Sequence, residues 1–261
     1  MCDHTFSSSI EKEYEKLNLP VDFFSRVSSK EKIQNNPEAI ITEIKKNASS
    51  IKVLQILGGE PTISKNCFDL CTWLVNNGHS KNIFLKINTN GIVLSEQWID
   101  LCKKFYRVQW SFSIDAVGKL NYYIRYPTPW EAICKNVERI KKEKFYHVMI
   151  QSTTHAMNVH YLPEIWQWVK QQQIHHIFPP VESPNAIQIY TLTKNQRQAL
   201  EEKYFQFPEF KKEIGDNVLN HLNSRPQTSN KDLLYFINKL DSIRPLKLVD
   251  VNYFFKKEYL N

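Results

Sequence analysis

Leu54-Gln55-Ile56-Leu57-Gly58-Gly59-Glu60-Pro61 decides how the rest of the chain is read. The run from Ile51 to Leu57 is apolar and β-branched, with the length of a buried strand. It stops at two glycines, which carry no Cβ, so the backbone can turn sharply there and lie flat against a ligand. Glu60 then presents a carboxylate at the mouth of the turn, and Pro61 fixes the exit. Ser64, Asn66 or Asp69 is placed to cap a following helix. A carboxylate at the carboxyl end of a parallel strand stands where α/β folds hold their ligands.

Working outward, strand and helix patterns alternate. After Ile51–Leu57 come a helix over Cys67–Asn77, a strand over Asn82–Ile87 and the turn Asn88-Thr89-Asn90-Gly91. A helix over Glu96–Phe105 and a strand over Val108–Ile114 follow, then a loop through Arg125 and a helix over Trp130–Lys142. A strand over Tyr146–Thr154, a helix over Leu162–Gln172 and a strand over His175–Phe178 complete the pattern. This spacing calls for right-handed βαβ units and a parallel sheet. The strands read as short apolar runs, which predicts burial on both faces. Upstream, Ser9 can cap a helix over Ile10–Leu17, and Pro37 can open one ending near Lys46. Beyond Val181 the chain reads as helices over Leu192–Phe205, Lys211–Asn223 and Lys231–Ile243, broken by Pro208, Pro226 and Pro245, with Phe254 and Phe255 docking on the body. The expected division is a core over 1–182 and a helical extension over 183–261.

Composition narrows the classes. With 261 residues, 42% apolar and 23% charged, the chain can bury a sizeable core. The formal charge of +7 comes from lysines spread along the chain without a block, which reads as a solvated surface and gives no specific nucleic-acid signal. No apolar run approaches the ~20 residues that span a bilayer. Five cysteines without a leader sequence predict reduced thiols and a cytoplasmic protein. Neither a Gly-x-Gly-x-x-Gly fingerprint nor a phosphate-binding P-loop is present.

Polar residues collect at successive strand ends: Gly58-Gly59-Glu60-Pro61, then Asn88-Thr89-Asn90-Gly91, then Ser111, Ser113 and Asp115 in alternation with Arg125 ten residues on, then Ser152-Thr153-Thr154. Such ends form one pocket floor in a parallel fold. In this order the segments resemble the radical S-adenosylmethionine (SAM) core, and Tyr123-Ile124-Arg125-Tyr126-Pro127 with Leu240-Asp241-Ser242-Ile243-Arg244 are similar to members carrying a partial auxiliary-cluster ("twitch") region. The resemblance implies an α/β fold, a partial parallel (β/α)6-type barrel lacking its first strand, with a helical C-terminal extension. It implies SAM and a 4Fe–4S cluster as cofactors. The cluster would cleave SAM reductively to a 5′-deoxyadenosyl radical that abstracts hydrogen from a substrate, a peptide or small metabolite, with flavodoxin or ferredoxin as electron donor. By the same resemblance the cofactor-binding residues are Gly58, Gly59, Glu60, Pro61, Asn88, Thr89, Asn90, Ser113, Asp115 and Arg125. The Gly-Gly turn and Glu60 suit the SAM amino group, Arg125 its carboxylate, and Ser113 with Asn88 or Thr89 its ribose.

One feature departs from the family. Its cluster loop reads Cys-x3-Cys-x2-Cys, and only Cys2, followed by Asp3 and His4, matches it, as the third cysteine. The expectation is an N-terminally truncated chain that is inactive by itself; the alternative is a degenerate, non-catalytic barrel that binds SAM or a protein partner. Other candidates read as structure. Cys67 and Cys71 have the i, i+4 spacing of a metal pair but share an apolar helix face with Phe68, Leu70 and Leu74. Cys102 and Cys134 read as core, and Trp166, Trp168 and Tyr161 as packing. His175-His176 lacks a ligand pattern around it, His155 and His160 read as surface or capping residues, and Asp115 reads as holding its loop.

Overall fold

The computed structural model describes residues 13, 16–17, 36–143 and 146–256. Its centre is a five-stranded sheet of β1 (Val53–Ile56), β2 (Phe84–Thr89), β3 (Arg107–Ser113), β4 (Tyr146–Gln151) and β5 (His175–Ile177), in that spatial order. Every neighbouring pair is parallel. Helices α1 (Pro37–Lys46), α2 (Lys65–Asn76), α3 (Glu96–Cys102), α4 (Gly118–Ile124), α5 (Trp130–Lys142) and α6 (Leu162–Gln172) precede or connect the strands. The fold is thus α/β, an open partial parallel barrel, and a helical C-terminal region follows it. That region holds α7 (Lys194–Phe205), α8 (Pro208–Phe210), a π turn over Lys211–Gly215, α9 (Asp216–Asn223), α10 (Lys231–Ile243) and α11 (Leu248–Val251).

Local chemistry sets the helix starts. Asn36 accepts from the Glu38 and Ala39 amides, and Ser64, among the three capping candidates, accepts from the Cys67 amide. Thr193 and Gln196 form a reciprocal capping box that opens α7. Of the expected helix over Ile10–Leu17, residues 13, 16 and 17 are helical and the others lie outside the described residues, as do Cys2 and His4.

The two faces of the sheet differ, contrary to the expectation of strands buried on both sides. Leu54, Ile56, Leu85, Ile87, Val108, Trp110, Phe112 and Ile150 pack into the core with the helices. Gln55, Lys86, Asn88, Gln109, Ser113, His147, Met149 and Gln151 alternate with them and are part-exposed or exposed. Strand residues alternate sides, so β2, read as Phe-Leu-Lys-Ile-Asn-Thr, is apolar on one face and largely polar on the other. Two further corrections follow. The second strand runs over Phe84–Thr89 rather than Asn82–Ile87, so Asn88 and Thr89 belong to the strand and only Asn90-Gly91 turn. The stretch before Arg125, read as loop, contains α4.

The C-terminal region is tied to the sheet by buried polar contacts. Asn252 Nδ2 donates to the Met157 carbonyl at 2.7 Å, and within the region itself Gln196 Nε2 donates to the Phe254 carbonyl at 2.9 Å. Phe254 stacks on the buried His160 ring at 4.0 Å, and Phe255 is also buried, so both phenylalanines dock as expected. Trp166 packs edge-on against Phe210, and Trp168 meets Trp130. Arg244 donates to both oxygens of Glu13 at 2.8 Å and caps the Tyr123 carbonyl, while the Tyr123 hydroxyl donates to Asp241 at 2.6 Å.

Gly91 offers a direct test of this packing. Its φ is +76°, and a Cβ there would lie 2.7 Å from Phe112 Cδ1 in the core. Gly91→Ala is expected to destabilise the fold by about 1–3 kcal/mol, as overpacking does. Urea unfolding measures this, and an unchanged midpoint would refute the assignment.

Candidate functional site

The carboxyl ends of the strands lie side by side, and hydrogen bonds stitch them together. Gly58 and Gly59 turn the chain out of β1 with φ of 84° and 56°, a region that favours glycine. Glu60 then reaches across to β2. Its Oε1 accepts from Thr89 Oγ1 and Thr62 Oγ1, each at 2.7 Å, and from the Thr62 amide at 3.3 Å; Oε2 accepts from the Asn90 amide at 2.7 Å. Glu60 therefore has a structural duty that its sequence context does not reveal: it caps the short turn from Pro61 and ties the first two strand ends together. A carboxylate has about four lone-pair directions, and Oε2 receives one hydrogen among the described residues, so it keeps capacity for an ammonium donor. Thr89 is buried and also accepts from the Gly91 amide at 3.0 Å.

On the polar face, Gln55 Nε2 approaches Asn88 Oδ1 at 3.4 Å, and Asn88 Nδ2 donates to Gln151 Oε1 at 3.3 Å. Gln151 sits in register with Ser113. Ser113 is half-buried and makes no side-chain hydrogen bond among the described residues. Asn88, Ser113 and Gln151 thus line the same rim, with the Ser113 hydroxyl available. Gln55 and Gln151 were missed as candidates; the signal that marks them is strand register, which needs the pairing to be known.

Asp115 and Arg125 form the third part. Arg125 Nη1 donates to Asp115 Oδ2 at 2.8 Å, with the Asp115 side chain fully buried and that of Arg125 14% exposed. Asp115 Oδ1 accepts from the Thr153 amide at 2.8 Å, joining the ends of β3 and β4. Asn121 on α4 accepts from the Asp115 and Ala116 amides, and Asn158 Nδ2 donates to the Asp115 and Thr153 carbonyls. The reading of Asp115 as a residue that holds its loop agrees with this network. Burial alone would raise the Asp115 carboxyl; the Arg125 charge leads the effects that outweigh it and hold the group below its ordinary 3.8.

His155 and His160 are wholly buried, not surface residues. Burial pushes His155 down to about 4 and His160 to about 3, so both are neutral at pH 7. The Met157 amide donates to His155 Nδ1 at 3.2 Å, and His160 Nε2 lies 2.9 Å from the Gln196 carbonyl. His176, half-buried within β5, has Nε2 2.7 Å from Ser152 Oγ, whereas His175 is exposed. Cys71 and Cys102 are fully buried thiols, and burial pushes Cys71 up to about 12, which fits core packing and not metal ligation. Among the described residues no group of three His, Cys, Asp or Glu side chains could hold a metal ion. The described residues therefore form no cluster site by themselves, while Glu60 Oε2 and the Ser113 hydroxyl keep hydrogen-bonding capacity at the rim. No helix among them is long and apolar enough to cross a membrane.

The profile of the radical SAM superfamily matches residues 23–170, more than half of the chain, and the chain belongs to that superfamily. Among solved structures it is similar to Streptococcus suis SuiB bound to S-adenosylmethionine, at 13% identity and a TM-score of 0.49 over 67% of this chain and 40% of that one. It is also similar to S. suis SuiB itself (12% identity, TM-score 0.49, 85% of this chain and 50% of that one). A third similar structure is SuiB bound to precursor peptide SuiA (15% identity, TM-score 0.45, 83% and 47%). The chain thus spans 40–50% of the length of these proteins. No curated protein sequence matches it.

The buried pair makes a stability prediction. Asp115→Asn leaves Arg125 without its buried counter-charge and is expected to cost about 3–5 kcal/mol at neutral pH. The folded carboxyl lies below its unfolded value, so its contribution is present above the ordinary 3.8 and fades as pH falls through the folded value. Urea unfolding across pH should show the difference between wild type and variant narrowing in acid. A difference independent of pH would refute the charge-based account.

Proposed function

We propose that the carboxyl rim of the sheet binds SAM and that the chain is the SAM-holding part of a radical SAM protein. The observation that carries this reading is the stitched rim itself, with Glu60, Asn88, Ser113 and the Asp115–Arg125 pair on consecutive strand ends of a superfamily member. The Gly58-Gly59 carbonyls, presented by the turn that Pro61 ends, and Glu60 Oε2 take the amino group. Arg125, braced by Asp115, directs guanidinium donors to the carboxylate. Ser113 takes a ribose hydroxyl, with Asn88 beside it; Thr89 and the Asn90 amide orient Glu60. A 4Fe–4S cluster, held in part by Cys2, would when bound supply the electron for reductive cleavage of SAM to methionine and a 5′-deoxyadenosyl radical, with flavodoxin or ferredoxin as the electron source and a peptide or small metabolite as substrate. The proposal assigns Cys2 as the third cysteine of the cluster loop, residues 1–182 as the core, and 183–261 as a helical extension related to twitch-type regions.

SAM titration by calorimetry tests the pocket. Glu60→Gln and Arg125→Lys should each weaken binding roughly 10- to 100-fold, the value of a charged hydrogen bond of about 1.5–3 kcal/mol. Ser113→Ala disturbs no side-chain hydrogen bond among the described residues and should weaken binding several-fold with its unfolding midpoint unchanged. Wild type that does not bind SAM, or three variants that bind it as wild type does, would remove the assignment. Anaerobic iron–sulfide reconstitution and assay for 5′-deoxyadenosine separate the two classes. Formation of the product supports the enzyme, and SAM binding without it, in a chain whose coding sequence shows no in-frame cysteines at the Cys-x3-Cys-x2-Cys spacing upstream of Cys2, supports the binding module.

A further inference from the structure

The opposite rim of the sheet carries a second constellation. A cavity of about 300 Å³ opens there, lined by Phe84, Arg107, Gln109, His147, Met149 and His175, with Val148. Its walls come from four strands: Phe84 opens β2, Arg107 opens β3 with Gln109 two residues on, His147 to Met149 are the second to fourth residues of β4, and His175 opens β5. Parallel register sets Phe84 beside Arg107, Gln109 beside His147 and Met149 beside His175. The volume is at the lower end for small-ligand pockets. From Arg107 to Ser113 the strand advances about 20 Å at roughly 3.3 Å per residue, so the arginine end of this cavity lies far from the carboxyl rim, while Met149 at its other end is two residues from Gln151 on the same face.

We propose that it is a binding site for the oxyanion group, phosphate or carboxylate, of a small ligand. Three observations carry the inference. Among the described residues no acidic side chain lines the cavity. Lys86 Nζ and Arg107 Cζ lie 5.0 and 5.6 Å from the centroid of the same Phe84 ring, and neither has a carboxylate partner among the described residues. Two cations near one ring with no carboxylate partner favour an anion close by. Finally, Arg107 Nη2 lies 2.9 Å from His147 Nε2. A guanidinium only donates, so Nε2 is the accepting nitrogen and the neutral imidazole carries its proton on Nδ1. This bond orients the arginine fork, and the fork's remaining N–H groups suit a carboxylate or phosphate. Phe84 and Met149 add an apolar wall for the rest of the ligand.

The inference is independent of SAM, and its test uses the full chain with no SAM or cluster present. Histidine ring resonances are followed by NMR as inorganic phosphate is added at constant ionic strength, with acetate titrated separately as the carboxylate probe. Saturable shifts are expected at His147 and His175 and not at His79 or His221. Arg107→Gln should weaken the response about tenfold or more and Lys86→Gln several-fold, with unchanged unfolding midpoints because both side chains are outside the core. Saturation by phosphate alone identifies a phosphate site, and saturation by both probes identifies a general oxyanion site. Shifts that do not saturate, that are equal at all four histidines, or that survive Arg107→Gln would overturn the proposal.

Discussion

Parallel pairing constrains everything else in this molecule. Each strand must be reached by a crossover that brings the chain back to the same starting edge, so all five carboxyl ends face one rim and all five amino ends face the other. Loops that are far apart in the chain become neighbours by this rule. Glu60 can meet Thr89 and Asn90, and Asp115 can meet Thr153, because adjacent strands end at nearly the same level. The same constraint collects Arg107, His147 and His175 at the other edge.

The rim is built from side chains that hold one another. Glu60 and Asp115 each accept hydrogen bonds from the next strand's exit, which replaces the water that an exposed loop amide would otherwise bind. A turn held in this way spends little entropy when a ligand arrives, because its donors and acceptors are already oriented. Arg125 illustrates the arrangement. Its guanidinium is braced by a fully buried carboxylate, and its chain position is set by α4, whose Tyr123 is held in turn by Asp241 and Arg244 of the C-terminal region. The helical region therefore reaches the rim through contacts with α4, not only through the apolar seam around Phe254.

Much of the architecture is legible without coordinates. The alternation of short apolar runs with amphipathic segments predicts each strand and, α4 aside, each crossover helix, and helices α5, α6 and α10 begin and end where the pattern says. Those segments have apolar residues at helical spacing and clear flanking breakers. Strand two was displaced by two residues because Asn88 and Thr89 are turn formers by type, yet here they complete a ladder with β3. Helix α4 escaped because it is short and lies between Gly118 and the Tyr126-Pro127 break, where its propensity signal is weak.

What the sequence by itself determined is the order of elements, the Gly58-Gly59 turn at a strand exit, Cys71 and Cys102 as core (Cys134, read as core, is only half-buried) and the set of polar residues at the strand ends. These follow from local backbone preference and from hydrophobic periodicity, both readable along the chain. The tertiary structure alone decided which partner each polar group takes: Glu60 with Thr89, Asn88 with Gln151, Arg125 with Asp115, and His155 and His160 in the interior. A period places a side chain on a face, but partners are set by the register between strands and by the packing of helices from distant parts of the chain, and neither is written in any local stretch.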